Sequence, residues 1–338
     1  MIKGIASEVT ALPIAIGGHE LRIDTSAGIA VSNGADDADA LIRNAEAALR
    51  KAKRSGGRYL FYDPEMNALI ADMLMLENKL RRALERDEFV LHYQPKINSM
   101  TGQVTGLEAL IRWHDPANGM VPPASFIPLL EETGMIIQVG AWVIRRAFAD
   151  ARRWRAEGVA PPRIAINVSP LQLQQTDFVD LIKRAPSAAG RAHPGLDLEI
   201  TESLIMTDME GTIRKLSDIQ RMGVEIAIDD FGTGYSSFGY LARLPINALK
   251  IDRSFIATMA VAPKGMSIVS TITSLAHSLD VKVIAEGVET EDQVDSLRRY
   301  HCDELQGFLI SRPLPAEQVP AFLHKRCSEP STAPNSYG

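Results

Sequence analysis

Cysteine is scarce: Cys302 and Cys327 are the only two in 338 residues. They form no CxxC pair, which excludes a disulfide framework and a cysteine-built metal centre, and both read as ordinary thiols. No apolar run approaches the roughly 18 residues needed for a membrane span. The opening MIKGIASEVT lacks the basic and apolar regions of a secretory signal, so no membrane contact and a cytoplasmic location are expected; a longer parent protein could carry an anchor. Positive charge is also limited. A net charge of −6 argues against a general basic surface gripping a nucleic-acid polymer. An anionic ligand must therefore meet cations placed locally. There is no HExxH, and the seven histidines show no ligand spacing.

Hydrophobic residues at 46% and charged residues at 23% are ordinary globular usage. The length allows one large domain and a smaller piece. In residues 1–62, Ile14–Ile16 and Glu20–Asp24 flank Gly17-Gly18, a hairpin turn signal. Ser26–Val31 continues as strand, and Ala38–Arg54 has helical periodicity. Residues 63–87 form one amphipathic linker helix, with Asp63 as N-cap and Pro64 at the first helical position. The tail, 327–338, is rich in Pro and Ser and is expected to be disordered.

From Phe89 to about Lys325, eight short β-branched runs alternate with helical stretches. That pattern predicts an α/β fold of the (β/α)8 barrel type, with a doubly wound open sheet as the alternative. Polar residues end the runs: Glu108, Asn167, Glu199 with Glu202, Asp229 with Asp230, Lys250 with Asp252, Glu286 with Glu289, and Gln306. In such a barrel these ends converge on one face, where active sites are built. One such acid alone is more often a solvated loop residue or a helix cap; the joint pattern is what carries the reading. Several carboxylates in one mouth repel, so their pKa values rise or cations occupy the site. Acids with an Asn carbonyl suit Mg²⁺ or Mn²⁺ better than zinc. Adjacent Asp229 and Asp230 allow one acid to bridge two ions, an arrangement that serves in-line phosphoryl displacement. Lys250, among these acids, reads either as a structural ion pair or as the acceptor of a proton from water.

The same residues carry a family resemblance. Glu108-Ala109-Leu110 is followed by Ile111-Arg112-Trp113. Around it stand YQP (93–95), FIP (126–128), NVS (167–169), EITES (199–203), DDFGTGYSS (229–237), LKIDRSF (249–255), AEGVE (285–289) and QGFLISRP (306–313). Residues 76–326 thus resemble the EAL-domain phosphodiesterases that hydrolyse cyclic di-GMP. The resemblance implies two Mg²⁺ or Mn²⁺ ions, with Glu108, Asn167, Glu199 and Asp229 as metal ligands. Asp230 and Glu286 complete the second metal site. It also implies water activation by Lys250, a loop held by Glu202, and Glu289 on the rim. Gln94, Arg112, Asp252 and Gln306 match substrate positions, and a homodimer through the barrel is a family habit. Phe308 departs from the family's common Tyr.

Residues 1–62 resemble the end of a GGDEF domain, through SAGIA (26–30), LIRNAEAALRKAKRSG (41–56) and RYLFYD (58–63). The signature hairpin of that family is absent, so no cyclase activity is expected. The function implied is hydrolysis of one phosphodiester of cyclic di-GMP to linear pGpG, the alternative being a silent receptor that binds the dinucleotide.

Overall fold

The computed structural model describes residues 14–16, 19–21, 25–32, 37–54, 59–159, 162–184, 195–202, 208–232, 241–259 and 263–328. They belong to two compact units, Met1–Arg81 and Arg82–Gly338. No helix among the described residues is long and apolar enough to cross a membrane.

In the first unit, β1 (Ile14–Ile16) and β2 (His19–Leu21) pair antiparallel, as a turn at Gly17-Gly18 predicts; the two glycines themselves lie outside the described residues. β3 (Ala27–Ile29) and β4 (Tyr59–Phe61) pair parallel. Parallel neighbours need a crossover, and the helix Ala38–Arg54 supplies it. Buried Ala47, Ala48 and Met66 form a small core under Tyr62. The next helix, Glu65–Glu85, starts directly after Pro64.

The second unit contains β5 (Phe89–Asn98), β6 (Val104–Asp115), β7 (Gly119–Val121), β8 (Arg163–Val168), β9 (Leu196–Thr201), β10 (Glu225–Phe231), β11 (Ala248–Ile251), β12 (Lys282–Ala285), β13 (Glu304–Gln306) and β14 (Leu314–Pro315). Eight of them close into a barrel in the order β5-β13-β12-β11-β10-β9-β8-β6, with β6 returning to β5. β7 and β14 extend β6 and β5 outside this ring. The closed ring excludes the open doubly wound sheet.

One strand departs from the all-parallel pattern: β5 is antiparallel to both β6 and β13. The cause is the connection, residues 99–103, which is too short to cross over. Asn98 Oδ1 closes that turn by accepting the Met100 and Thr101 amides at 3.0 and 2.8 Å. A second consequence concerns Glu108. It lies in the middle of β6, not near its end, because β6 continues to Asp115 as a hairpin partner of β5 and then β7.

The last helix, Val319–Ser328, takes in the first two residues of the expected tail, and 329–338 lie outside the described residues.

Inside the barrel, side chains alternate in and out along each strand, so Gln94 and Lys96, Asp197 and Glu199, and Glu304 and Gln306 stack in two polar levels. Small or slender residues, Ala227, Ala248 and Ile284, fill the space between. The lower level is ionic and closed. Lys96 Nζ is 3.6 Å from Asp197 and 3.9 Å from Glu304, and Asp197 also accepts from Arg163 at 2.6 Å. Gly106 makes room for it: a Cβ there would stand 2.2 Å from Lys96 Cε. Removing one member of a buried ion pair strands the others, at a cost of about 3–5 kcal/mol. Lys96→Ala is therefore expected to destabilise the barrel by about 3 kcal/mol, read as a lower denaturant midpoint; an unchanged midpoint would contradict this assignment.

Candidate active site

The upper level is built around Lys250 at the centre of β11. Its Nζ is buried and lies 2.5 Å from Glu199, 2.6 Å from Glu286, 3.2 Å from Asp229 and 3.7 Å from Glu108. The four acids and the lysine come from five places on the ring: Glu108 on β6, Glu199 on β9, Asp229 on β10, Glu286 just after β12, and Lys250 itself on β11. Parallel register produces the convergence, since Asn167 pairs with Glu199, and Asp229 with Thr201, across adjacent strands.

Burial alone would lower the Lys250 pKa, but the surrounding Glu108, Glu199, Glu286 and Asp229 carboxylates outweigh it and hold the ammonium well above its usual value. The acids divide in response. Burial pushes Glu199 well up, and the Glu108 carboxylate pushes it further against the pull of Lys250. Burial also raises Glu108, yet the Lys250 ammonium and hydrogen bonds from Gln306 and Asn167 bring it below the ordinary range. Those bonds are 2.6 Å from Gln306 Nε2 and 2.7 Å from Asn167 Nδ2. Glu286 is pushed up to about 7, chiefly by burial.

Consecutive strand residues ordinarily face opposite sides, yet Asp229 and Asp230 must share one. A register break between Ile228 and Phe231 and a left-handed Asp230 (φ 52°) resolve this. Aspartate tolerates that conformation better than most residues. Its amide donates to Asp229 Oδ1 at 3.0 Å. Ligand atoms of Asp229, Asp230 and Glu286 then lie within 4.8 Å of one another. Glu199 Oε1 is buried without a hydrogen-bond partner. An unpartnered buried oxygen beside clustered carboxylates, with no sulfur or imidazole among them, is a donor set that fits hard divalent cations.

Above these groups opens a cleft of about 300 Å³. Gln94 and Gln306 reach it from β5 and β13: Gln306 Nε2 donates to Gln94 Oε1 at 3.2 Å, and Gln94 donates to the Ser311 carbonyl at 3.1 Å. Arg112 and Glu289 also line it. Two further expected residues directly follow β11 and β9. Asp252 Oδ1 accepts the amide and hydroxyl of Ser254, capping the helix Arg253–Met259, and it is not a lining residue of the cleft. Glu202 is buried just past β9, and residues 233–237 of the loop it is expected to hold lie outside the described residues. Phe308 is half exposed at the rim, with the Arg312 guanidinium 4.4 Å above its ring. Sequence reasoning did not single out Arg253, which also lines the cleft; its place immediately after the LKID strand was the available signal.

The sequence profile of the EAL domain matches residues 77–313. The chain belongs to the EAL domain family. It is 45% identical over 309 residues to the bifunctional diguanylate cyclase/cyclic di-GMP phosphodiesterase MucR of Pseudomonas aeruginosa, covering 91% of this chain and 45% of that protein. It is 38% identical over 307 residues to the cyclic di-GMP phosphodiesterase PdeR of Escherichia coli, covering 90% of this chain and 46% of PdeR. The EAL-family chain thus spans less than half the length of these two relatives. Among solved structures, the MucR phosphodiesterase in complex with c-di-GMP superposes with a TM-score of 0.70 at 46% identity, over 72% of this chain and 99% of the other. The EAL enzyme Bd1971, in its form with cAMP and cyclic di-GMP bound, gives 0.73 at 32%, over 86% and 77%.

The raised Glu286 sets a pH dependence when divalent cations are absent. The folded barrel keeps this proton up to about pH 7, whereas an ordinary carboxyl loses it near 4.5. Its contribution to stability is full below 4.5 and is lost as pH rises through 7. In chelator, melting temperature is expected to fall from about pH 5 to about pH 7.5 more in the parent than in Glu286→Gln. Parallel calorimetric profiles would remove Glu286 as the cause.

Proposed function

We propose that the barrel hydrolyses one phosphodiester of cyclic di-GMP to linear pGpG, with two Mg²⁺ or Mn²⁺ ions at the Lys250 cluster. The observation carrying this reading is the gathering of Glu108, Glu199, Asp229, Asp230 and Glu286 around one buried ammonium. The likeness to the MucR phosphodiesterase structure supports the choice of substrate. Glu108, Asn167, Glu199 and Asp229 would hold one ion, and Asp229, Asp230 and Glu286 the other. Asn167 commits its Nδ2 to Glu108, which leaves its carbonyl oxygen to face a cation.

Bound divalent cations supply Lewis-acid stabilisation of the phosphoryl oxygens and lower the pKa of water at the site. The protein's own groups do the rest. The carboxylates that hold the Lys250 ammonium charged would be shared with bound ions, and burial, which lowers its pKa, would then favour the neutral amine. Its Nζ then accepts the proton of the attacking water. The water oxygen joins phosphorus, the P–O3′ bond breaks, and the leaving 3′ oxygen takes up a proton from solvent water, giving a 5′-phosphate and a 3′-hydroxyl. Gln94 and Gln306 orient Glu108 and the adjoining ligand edge through their mutual bonds. Arg112 offers a planar, permanently charged fork to a phosphate oxygen.

The first unit we read as the end of a GGDEF-type domain without its signature. The alignment with MucR supports this, because at 91% of the chain it necessarily reaches past residues 77–313 into that unit.

Incubating the purified chain with cyclic di-GMP and Mn²⁺ is expected to yield pGpG by chromatography. Glu108→Ala should reduce the rate by about 100-fold or more, the scale expected when charge stabilisation at the reacting group is lost. Tight binding of the dinucleotide without product would favour a receptor; undiminished turnover by Glu108→Ala would overturn the site assignment.

A further inference from the structure

We infer that Arg253 holds the second phosphodiester of the cyclic dinucleotide, the one that is not cut, and thereby selects cyclic dinucleotides over ligands with a single phosphodiester. This deepens the reading above and rests on it.

The ring order places β6 and β11 four strands apart in either direction, on opposite sides of the barrel. Arg112 stands on β6, and Arg253 is the first residue after the β11 strand and Asp252. Both line the same cleft, with Glu108, Asp229 and Glu286 between them. They are its two cationic lining residues, and the acids between them lie against Lys250.

The Arg253 guanidinium makes no hydrogen bond or ion pair among the described residues, and the side chain is exposed. An arginine beside so many carboxylates yet paired with none is oriented for something else. Its stem packs against the neighbouring strand's end, since Gly287 follows β12, the partner of β11. Gly287 has φ +69°, and a Cβ there would meet Arg253 Cβ at 2.5 Å. Only glycine admits the arginine stem at this position, and Arg253 stands among the residues that line the cleft.

A cyclic dinucleotide carries two phosphodiesters on opposite sides of one macrocycle. With one ester over the carboxylate cluster, the other is an anion reaching the rim. Arginine is the side chain suited to it, being always charged and able to bind two phosphate oxygens at once.

The test compares two substrates in Mn²⁺: cyclic di-GMP, with two phosphodiesters, and bis(p-nitrophenyl) phosphate, with one. Arg253→Ala is expected to raise KM for the dinucleotide about tenfold or more, as for loss of a charge-assisted bond, with kcat little changed. Its activity on bis(p-nitrophenyl) phosphate should match the parent, which also reports that the barrel is folded. Arg253→Lys should recover part of the loss. Equal loss on both substrates, or on neither, would overturn the proposal. The enclosing assignment is judged separately by whether the parent turns over cyclic di-GMP at all. Should it fail to do so, dinucleotide binding in Ca²⁺ decides: weaker binding by Arg253→Ala supports the role of Arg253, and equal or absent binding contradicts it.

Discussion

Everything at the mouth of this barrel depends on how one buried ammonium is balanced against the carboxylates that surround it. Lys250 touches four acids, and it is buried together with Glu199 and Glu108, while Asp229 and Glu286 are partly exposed to the cleft. A buried charge is tolerated only when paired. Here there is more negative charge than one lysine can neutralise, so burial and mutual repulsion raise the pKa of Glu199 and Glu286, while Lys250 and two amide hydrogen bonds hold Glu108 below its ordinary range. Such a cluster is stable enough to fold but remains short of positive charge. Under the proposed function, divalent cations held by these acids would relieve that deficit and weaken the interactions that raise the Lys250 pKa.

The same excess resolves the contrast between an acidic chain and a doubly anionic ligand. Cations seated among the acids would reverse the sign of the cleft floor, and Arg112 and Arg253, which line the same cleft, would extend that positive field. The lower ionic level performs a different task. Lys96, Asp197, Glu304 and Arg163 close the barrel beneath the site and fix β5, β9 and β13 in register, strands that also carry Gln94, Glu199 and Gln306. One end of the barrel is thus an ion network satisfied by itself. The other is completed from outside.

Much of this was legible in the sequence because strand-end acids are an improbable accident. The helix Ala38–Arg54, the barrel class and the acids around Lys250 follow from periodicity and from which residue ends each run. The reversed first strand did not, because the motifs name residues and not directions; the five-residue connection between β5 and β6 was the cue. Asp229 and Asp230 were expected to work together, but alternation on a strand forbids it. Only a left-handed Asp230 and a register break make their shared face possible. Asp252 reads from the motif as a substrate residue, and in the fold its Oδ1 also accepts from Ser254 at the start of the following helix. Arg253 went unnoticed since its meaning lies in Gly287, distant in sequence, and in the opposite placement of β6 and β11.

The central claim is that the Lys250 cluster is a divalent-cation site. Titrating Mn²⁺ into the chain under electron paramagnetic resonance tests it directly. The free-ion signal should be lost until about two ions are bound per chain, as expected for a two-metal centre, and Asp229→Asn should abolish most of that uptake. A signal that grows from the first addition, identical in both proteins, would contradict the account.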